Sequence, residues 1–367
     1  MNDKNLHELI DRYEKNYVFL NNSENDEIFK WKAVRCFRDV WFSEDACKED
    51  FSKLFAKARK ESSVLIDNSQ VSPTNGIVKM AEICPEEVES LFRDVLFSPD
   101  DGDINQRQIN MEKFLAEIEK IRQKHFPQCW KYKQDRHAAS CYLVFAAPED
   151  NFIYRYSEAE EFAKYIEFGM DIGSGEDFSL ERYYQMCEVI VDALRQHKSL
   201  LDKHFELVES GPFYRDNSLH LLAFDLMYCC RAYNLYSGLE HLSKKESIKA
   251  FRLELLREQE QAEKQKKIDE LECQIHELEV SLEPYESISL MNVEVFQAKY
   301  GKGTIVAHDH DRIKVKFENE EKSFVINRKF SMRPTFENDK DIVDAYTEYS
   351  DVFMRIERLK RELVAIQ

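Results

Sequence analysis

The sequence predicts a mostly helical protein with one small β-domain near its C-terminal end. Only nine Gly and eight Pro interrupt 367 residues, and 33% of the residues are charged, a balance that favours helices over long loops. Hydrophobic heptads occur on both sides of residues 289–335, and within that segment apolar and polar residues alternate as in strands. The predicted fold is therefore a helical N-terminal domain followed by a helical hairpin, with a small all-β barrel inserted between the two hairpin helices.

The first predicted domain, residues 1–240, consists of amphipathic helices. Its first strong signal is an aromatic stripe at helical spacing, formed by Trp31, Val34, Phe37, Val40 and Trp41. The apolar run at 51–55 is expected to continue this helix after Ser43, which is a capping residue type. Further helices are predicted at 104–126, 140–148, 180–208 and 217–236, whereas 152–156 is a short strand or an extended link.

Two charged segments, residues 241–288 and 336–367, carry the heptads of a coiled coil. The apolar positions are Ile268, Leu271, Ile275, Leu278 and Leu282 in the first segment, and Ile342, Ala345, Tyr349, Val352, Ile356, Leu359, Leu363 and Ile366 in the second. Because the connection between them is short, antiparallel pairing within one chain is the economical arrangement. Heptads do not specify their partner, so a homodimer through the same helices is the alternative.

Residues 289–335 form the predicted β-barrel. Strand alternation places Ile313, Val315 and Phe317 inward and the basic residues Arg312, Lys314 and Lys316 outward. Residues 293–333 hold nine Lys/Arg and six Asp/Glu, so their balance of +3 leaves the rest of the chain near −21 against −18 for the whole. Any contact with nucleic acid must therefore be local, since phosphate binding needs clustered cations.

The run from Tyr300 through Gly301, Lys302 and Gly303 to residue 306, followed by a Val-Lys-Phe strand and a Lys-x-Phe strand, resembles a known module. It is similar to the Tudor/SH3-like barrel at the C-terminus of UvrD-type helicases and in CarD-type proteins that interact with RNA polymerase. The resemblance implies docking on a protein partner such as RNA polymerase, at a position that can lie beside DNA. The residues expected to make the contact are Tyr300, Lys302, Arg312, Lys314 and Lys316.

A second resemblance covers residues 120–235. Its elements are Gln134-Asp135-Arg136, Ser140, Tyr142-Leu143, Pro148, Phe152-Ile153-Tyr154-Arg155-Tyr156 and the apolar run at 221–226. They are similar to the auxiliary region that precedes the AAA motor in McrB-type restriction proteins. This chain has no motor, so the resemblance implies an association with phage defence or DNA processing and no mechanism.

One candidate catalytic pair is Arg215 and His220, which resemble the Arg-x4-His motif of HEPN-type ribonucleases. There Arg215 would stabilise phosphate charge and His220 would act as the acid or base. The alternative is a loop arginine and a first-turn histidine, with Asn217 or Ser218 as the helix cap.

No cofactor or metal site is indicated by the sequence. His137, His308 and His310 lack a third ligand at metal spacing, and the nine cysteines form no CxxC pair, which indicates reduced core residues in a cytoplasmic protein. Neither a signal peptide nor a membrane-spanning run is predicted.

The leading functional hypothesis is a non-enzymatic adaptor of a phage-defence or DNA-processing complex that docks through the barrel. Its partner would be a protein, such as a nuclease, a motor ATPase or RNA polymerase, or else DNA or RNA. The alternatives are a HEPN-like ribonuclease and an acidic scaffold protein that holds a basic partner.

Overall fold

The computed structural model describes residues 1–285, 287–326, 333–334 and 340–366. The chain divides into two compact units, Met1–Leu253 and Glu254–Gln367. About 65% of the residues are helical, which confirms the predicted fold class. Within the described ranges no helix combines the length and the apolar character needed to cross a membrane.

The first unit is a bundle of short helices around one hydrophobic core. The helices are α1 (Asp3–Leu20), α2 (Phe29–Trp41), α3 (Phe51–Ser62), α4 (Pro73–Ala81), α5 (Pro85–Ser90), α6 (Ile104–His125), α7 (Arg136–Ala146), α8 (Tyr156–Tyr165), α9 (Leu180–Gln196), α10 (Lys198–Glu209), α11 (His220–Ala232) and the start of α12 (Lys244–Leu282). Cysteines 141, 187, 229 and 230 are free and buried in this core, as the sequence predicts. Burial raises the pKa of each of these thiols, which therefore behave as small apolar side chains.

The aromatic stripe of α2 faces the core as predicted, but the boundary after it differs from the prediction. Ser43 does not cap a continuing helix, because α2 ends at Trp41 and α3 begins separately at Phe51. The cap of α3 is Asp50, whose carboxylate accepts hydrogen bonds from the amides of Ser52 and Lys53. The helix is therefore interrupted between Trp41 and Phe51, and it restarts at a different cap from the one predicted.

The predicted helix at 180–208 is two helices, α9 and α10, that meet at His197. The backbone of His197 is non-helical, with φ −92° and ψ 70°, so it both ends α9 and precedes α10. The segment 151–155 is extended and joins no sheet, in agreement with the extended link.

The second unit is built on an antiparallel helical hairpin of α12 and α13 (Lys340–Ile366). Leu271 and Ile275 of α12 pack against Ile356 and Leu359 of α13, with further heptad residues beside them. Ion pairs join Lys267 to Glu362 at 3.8 Å and Glu279 to Lys360 at 2.8 Å. The heptad helices thus pair within one chain, as the antiparallel prediction requires.

A five-stranded antiparallel sheet lies between these helices in the sequence. Its strands are β1 (Glu294–Gln297), β2 (Gly301–Asp309), β3 (Arg312–Phe317), β4 (Glu321–Val325) and β5 (Arg333–Pro334), in the order β4-β3-β2-β1-β5. One face of the sheet packs on the start of α13, where Val343 and Tyr346 are buried with Val295, Ile305 and Val315. We call this the inner face and the opposite side the outer face. The small β-domain is confirmed as a sheet with one buried side.

Candidate functional site

The outer face of the sheet carries the predicted basic residues. Ile313, Val315 and Phe317 are buried and Arg312, Lys314 and Lys316 are exposed, so the predicted alternation of β3 is confirmed. Strand register places Phe296 of β1 opposite Lys302 of β2, and Thr304 of β2 opposite Lys316 of β3. Directly opposed residues share a face, so these four side chains form one patch.

The cations of the outer face differ in their pairing. Lys314 lies 2.7 Å from Glu321 on β4, and this hydrogen bond lowers the pKa of the Glu321 carboxyl. Lys302 and Lys316 form no ion pair within 4 Å with a described carboxylate, although Glu321 is also the strand partner of Lys316 and Lys316 helps to lower its pKa. Phe296, opposite Lys302, leaves 48% of its surface exposed. The patch therefore combines two unpaired lysines with an exposed aromatic ring.

Tyr300 is not part of this patch. Its ring packs 5.3 Å from that of Phe317 and 6.2 Å from that of Phe324, measured between centroids, at the margin of the inner core. Lys299 and Lys322 lie over the ring at 5.2 and 6.0 Å. Tyr300 thus supports the sheet from the side that carries the core.

Gly303 is required by close packing on the inner face. A Cβ atom there would lie 2.7 Å from side-chain atoms of both Phe317 and Val315. We expect Gly303→Val to destabilise the second unit by about 1–3 kcal/mol, the usual cost of overpacking. Hydrogen exchange of the β2 and β3 amides measures this effect. Thr304→Val, on the outer face of the same strand, is the matched control and should leave exchange nearly unchanged.

The candidate catalytic residues Arg215 and His220 have separate partners. Arg215 pairs with Glu209 and lies 4.9 Å over the ring of Phe205. His220 is buried, stacks on Phe152 with 3.9 Å between ring centroids, and directs Nδ1 at the carbonyls of Pro148 and Asn151. Both side chains are therefore engaged in packing and hydrogen bonds within the helical unit.

The cap of α11 also differs from the prediction. Neither Asn217 nor Ser218 caps the helix; the buried carboxylate of Asp216 accepts hydrogen bonds from the amides of Leu221 and Leu222, at 2.8 and 3.4 Å. Burial raises the pKa of Asp216, and the Ser218 hydroxyl and these amides oppose that shift. Asp216 thus holds the turn before His220 in place.

A cleft of about 830 Å³ opens in the first unit. Its walls are the loop between α3 and α4, the first turns of α7 and α8, residues 174–175 and Tyr228 of α11. His137 lies in its floor, with Nε2 2.9 Å from the Leu65 carbonyl and Nδ1 3.0 Å from the Tyr154 carbonyl. The His137 side chain thereby joins two walls of the cleft, and it is part-buried between them.

A buried ion network lies beside this cleft. Lys30, 1% exposed, pairs with Glu27 and with Asp225, whose Oδ1 is 2.5 Å from the ammonium. Tyr13 donates to Asp225, and Tyr233 donates to Glu27 at 2.6 Å. Burial alone lowers the pKa of Lys30, but the neighbouring acids, Asp225 foremost, outweigh it and raise that pKa. The carboxylates of Glu27 and Asp225 lie close enough together to bind a metal ion, but they bind the ammonium of Lys30 instead.

Together these features describe a mostly helical protein with a small antiparallel sheet that carries a mixed basic and aromatic patch, and with a cleft in its first unit. Comparison with protein-family models, curated proteins and solved structures finds no match to the chain.

The cleft was not predicted from the sequence, although its residues stand in one quoted motif. Asp135 and Arg136 begin α7, while Tyr154, Arg155 and Tyr156 lead into α8. The sequence feature that could have indicated the cleft was the aromatic and basic segment at 152–156, which is extended and leads directly into a helix. Without the fold, nothing in that segment indicates that the loop at 64–73 faces it.

Proposed function

We propose that this chain is a non-enzymatic adaptor that docks an acidic segment of a partner protein on the outer face of its sheet. The observation that carries the proposal is the patch of Phe296, Lys302 and Lys316, in which Lys302 lies opposite an exposed aromatic ring and Lys316 lies on the next strand of the same face. An aromatic anchor with flanking charges is a common composition of protein interfaces.

The charge of the outer face favours protein over nucleic acid as the partner. Its basic residues are interleaved with Glu294, Asp309 and Glu321, and Glu321 already neutralises Lys314. Backbone phosphates are bound by clustered cations, and this face offers few that are unpaired. An acidic peptide with an apolar side chain matches both the lysines and Phe296.

The two sequence resemblances suggest the setting. A Tudor/SH3-like barrel of the UvrD and CarD type docks on proteins, and the auxiliary region of McrB-type restriction proteins accompanies a motor. We therefore place the proposed adaptor in a phage-defence or DNA-processing complex, with a nuclease, a motor ATPase or RNA polymerase as the class of partner.

The test is affinity capture of the partner from native cells, followed by measurement of its Kd for the full chain. The triple variant Phe296→Ala, Lys302→Glu, Lys316→Glu is expected to weaken binding at least about tenfold, because it removes the anchor and reverses both charges. The matched control is Lys53→Glu with Lys113→Glu, two exposed lysines of the helical unit.

Other outcomes distinguish the alternatives. A partner that binds the triple variant as tightly as the natural chain contradicts docking on the outer face and favours the acidic scaffold. Binding of DNA or RNA whose Kd rises steeply with salt, and which the triple variant abolishes, would assign the face to nucleic acid instead.

A further inference from the structure

The cleft of the first unit has a donor-rich wall at the start of α8. No side chain caps this helix, and the first amides of a helix have no partner within it. Arg155 precedes the helix with 43% of its side chain exposed, and Ser157 lies in the first turn. Amide groups, a guanidinium and a hydroxyl at a helix N-terminus are the groups that bind a phosphate.

A second, independent feature points into the same cleft. Tyr154 is only 5% exposed, and its ring is held by Phe178 and Tyr183 at centroid distances of 4.5 and 5.0 Å. Its hydroxyl makes no hydrogen bond with a described residue and is not closed off from solvent, and Tyr154 lines the cleft. Burial raises the pKa of Tyr154 to about 12, so the hydroxyl is a donor near neutral pH. It is available to a ligand oxygen.

Arginines share the acidic group nearest this wall. Glu158, in the first turn of α8, is buried, and its Oε1 is approached by Arg155 at 3.5 Å and by Arg231 at 3.3 Å, whereas its Oε2 has no partner among the described residues. Arg136 pairs with Glu112 at 2.5 Å and donates to the Gly175 carbonyl. Because Arg231 also pairs with Glu158, Arg155 is not the only cation that balances this carboxylate. Arg155 is therefore the cation best placed to bind an anion in the cleft.

The remaining walls suit the rest of a ligand larger than phosphate. Tyr156 is 50% exposed and presents an aromatic ring, whereas the Tyr228 ring is already covered by Lys30 at 4.4 Å and Arg155 at 5.7 Å. The opposite loop contributes the Asp67 carboxylate, whose Oδ1 accepts one hydrogen bond, from the Thr74 amide, and the side-chain nitrogen of Asn68. A volume of about 830 Å³ is in the range of small-molecule sites and far exceeds a single phosphate.

We propose that this cleft binds a nucleoside monophosphate. The phosphate lies at the N-terminus of α8 against Arg155, Ser157 and the Tyr154 hydroxyl. The base stacks on Tyr156, and the loop at 67–68 accepts hydrogen bonds from the sugar or the base. This site belongs to the helical unit and is independent of docking on the sheet.

Isothermal titration of the full chain with AMP, GMP, CMP and UMP tests the site, with inorganic phosphate and the parent nucleosides as references. At least one nucleotide is expected to bind about tenfold more tightly than phosphate or its own nucleoside, because the phosphate group and the nucleoside both contribute to its binding. Arg155→Gln and Tyr154→Phe should each weaken that binding several-fold or more. Arg195→Gln, an exposed arginine of α9 paired with Asp192, is the matched control.

Thermal unfolding of each variant without ligand separates loss of the site from loss of the fold. The Tyr154→Phe variant should unfold like the natural chain, because it removes only a hydroxyl that has no partner among the described residues. The proposal is overturned if no nucleotide binds at millimolar concentration, if phosphate binds as tightly as the nucleotides, or if both variants bind like the natural chain. An oligonucleotide that binds where no mononucleotide does would also overturn it.

Discussion

Lys30→Met is expected to destabilise the helical unit by about 3–5 kcal/mol, the largest effect of any single substitution considered for this chain. The substitution keeps most of the side-chain volume but removes the ammonium that lies between Glu27 and Asp225. Both carboxylates are buried, so two carboxylates without a cation would remain in the core. Urea denaturation followed by tryptophan fluorescence measures this, because Trp31, Trp41 and Trp130 all lie in this unit.

The matched control is Lys32→Met, on the same helix. Lys32 is about half exposed and lies 3.5 Å from Glu61, an exposed pair whose loss should cost less than about 1 kcal/mol. Adding Asp225→Asn to Lys30→Met should recover part of the loss, since it removes one of the unpaired charges. Equal destabilisation by Lys30→Met and Lys32→Met would show that the buried network contributes no more than a surface pair.

The second large effect concerns pH and His204. This side chain is buried beneath Trp31, with 4.8 Å between ring centroids, and its Nδ1 is 2.8 Å from the Tyr17 hydroxyl. Burial lowers the pKa of His204 from 6.5 to about 4, with Asp225 opposing that shift. The folded state therefore binds fewer protons than the unfolded state between these values. Stability is fully present above pH 6.5 and falls as the pH approaches 4, by about 3 kcal/mol.

The variant His204→Gln isolates this contribution, because glutamine can still accept the hydrogen bond of Tyr17 but does not titrate. The free energy of unfolding, measured from pH 7 to pH 4, should decline about 3 kcal/mol less in His204→Gln than in the natural chain. Carboxylates whose protonation in acid destabilises the folded state are present in both proteins. Their contribution to the decline is therefore the same in both and cancels in the difference. His241→Gln, at a partly exposed histidine of the same unit, should keep the natural pH dependence. An identical decline in His204→Gln and the natural chain would contradict the assignment.

The outer face of the sheet could be predicted because strand periodicity is local. In β3 each apolar residue points toward the core and each basic residue away from it, so the sequence alone separates Ile313 and Val315 from Lys314 and Lys316. The heptads of α12 and α13 likewise indicate which side of each helix is buried. The ion pair of Glu321 could not be predicted, since Glu321 lies opposite Lys316 in the strand register but places its carboxylate on Lys314.

The sequence by itself determined the helical class of this protein, the position of its small sheet and the paired heptads, because each depends on periodicity within a short segment. Only the tertiary structure decided the cleft and the ion network of Lys30. Lys30 and Asp225 are 195 positions apart, and the His137 side chain joins carbonyls of Leu65 and Tyr154. Periodicity shows which face of an element is buried but not which distant element covers it, so sites made between elements emerge only when the chain has packed.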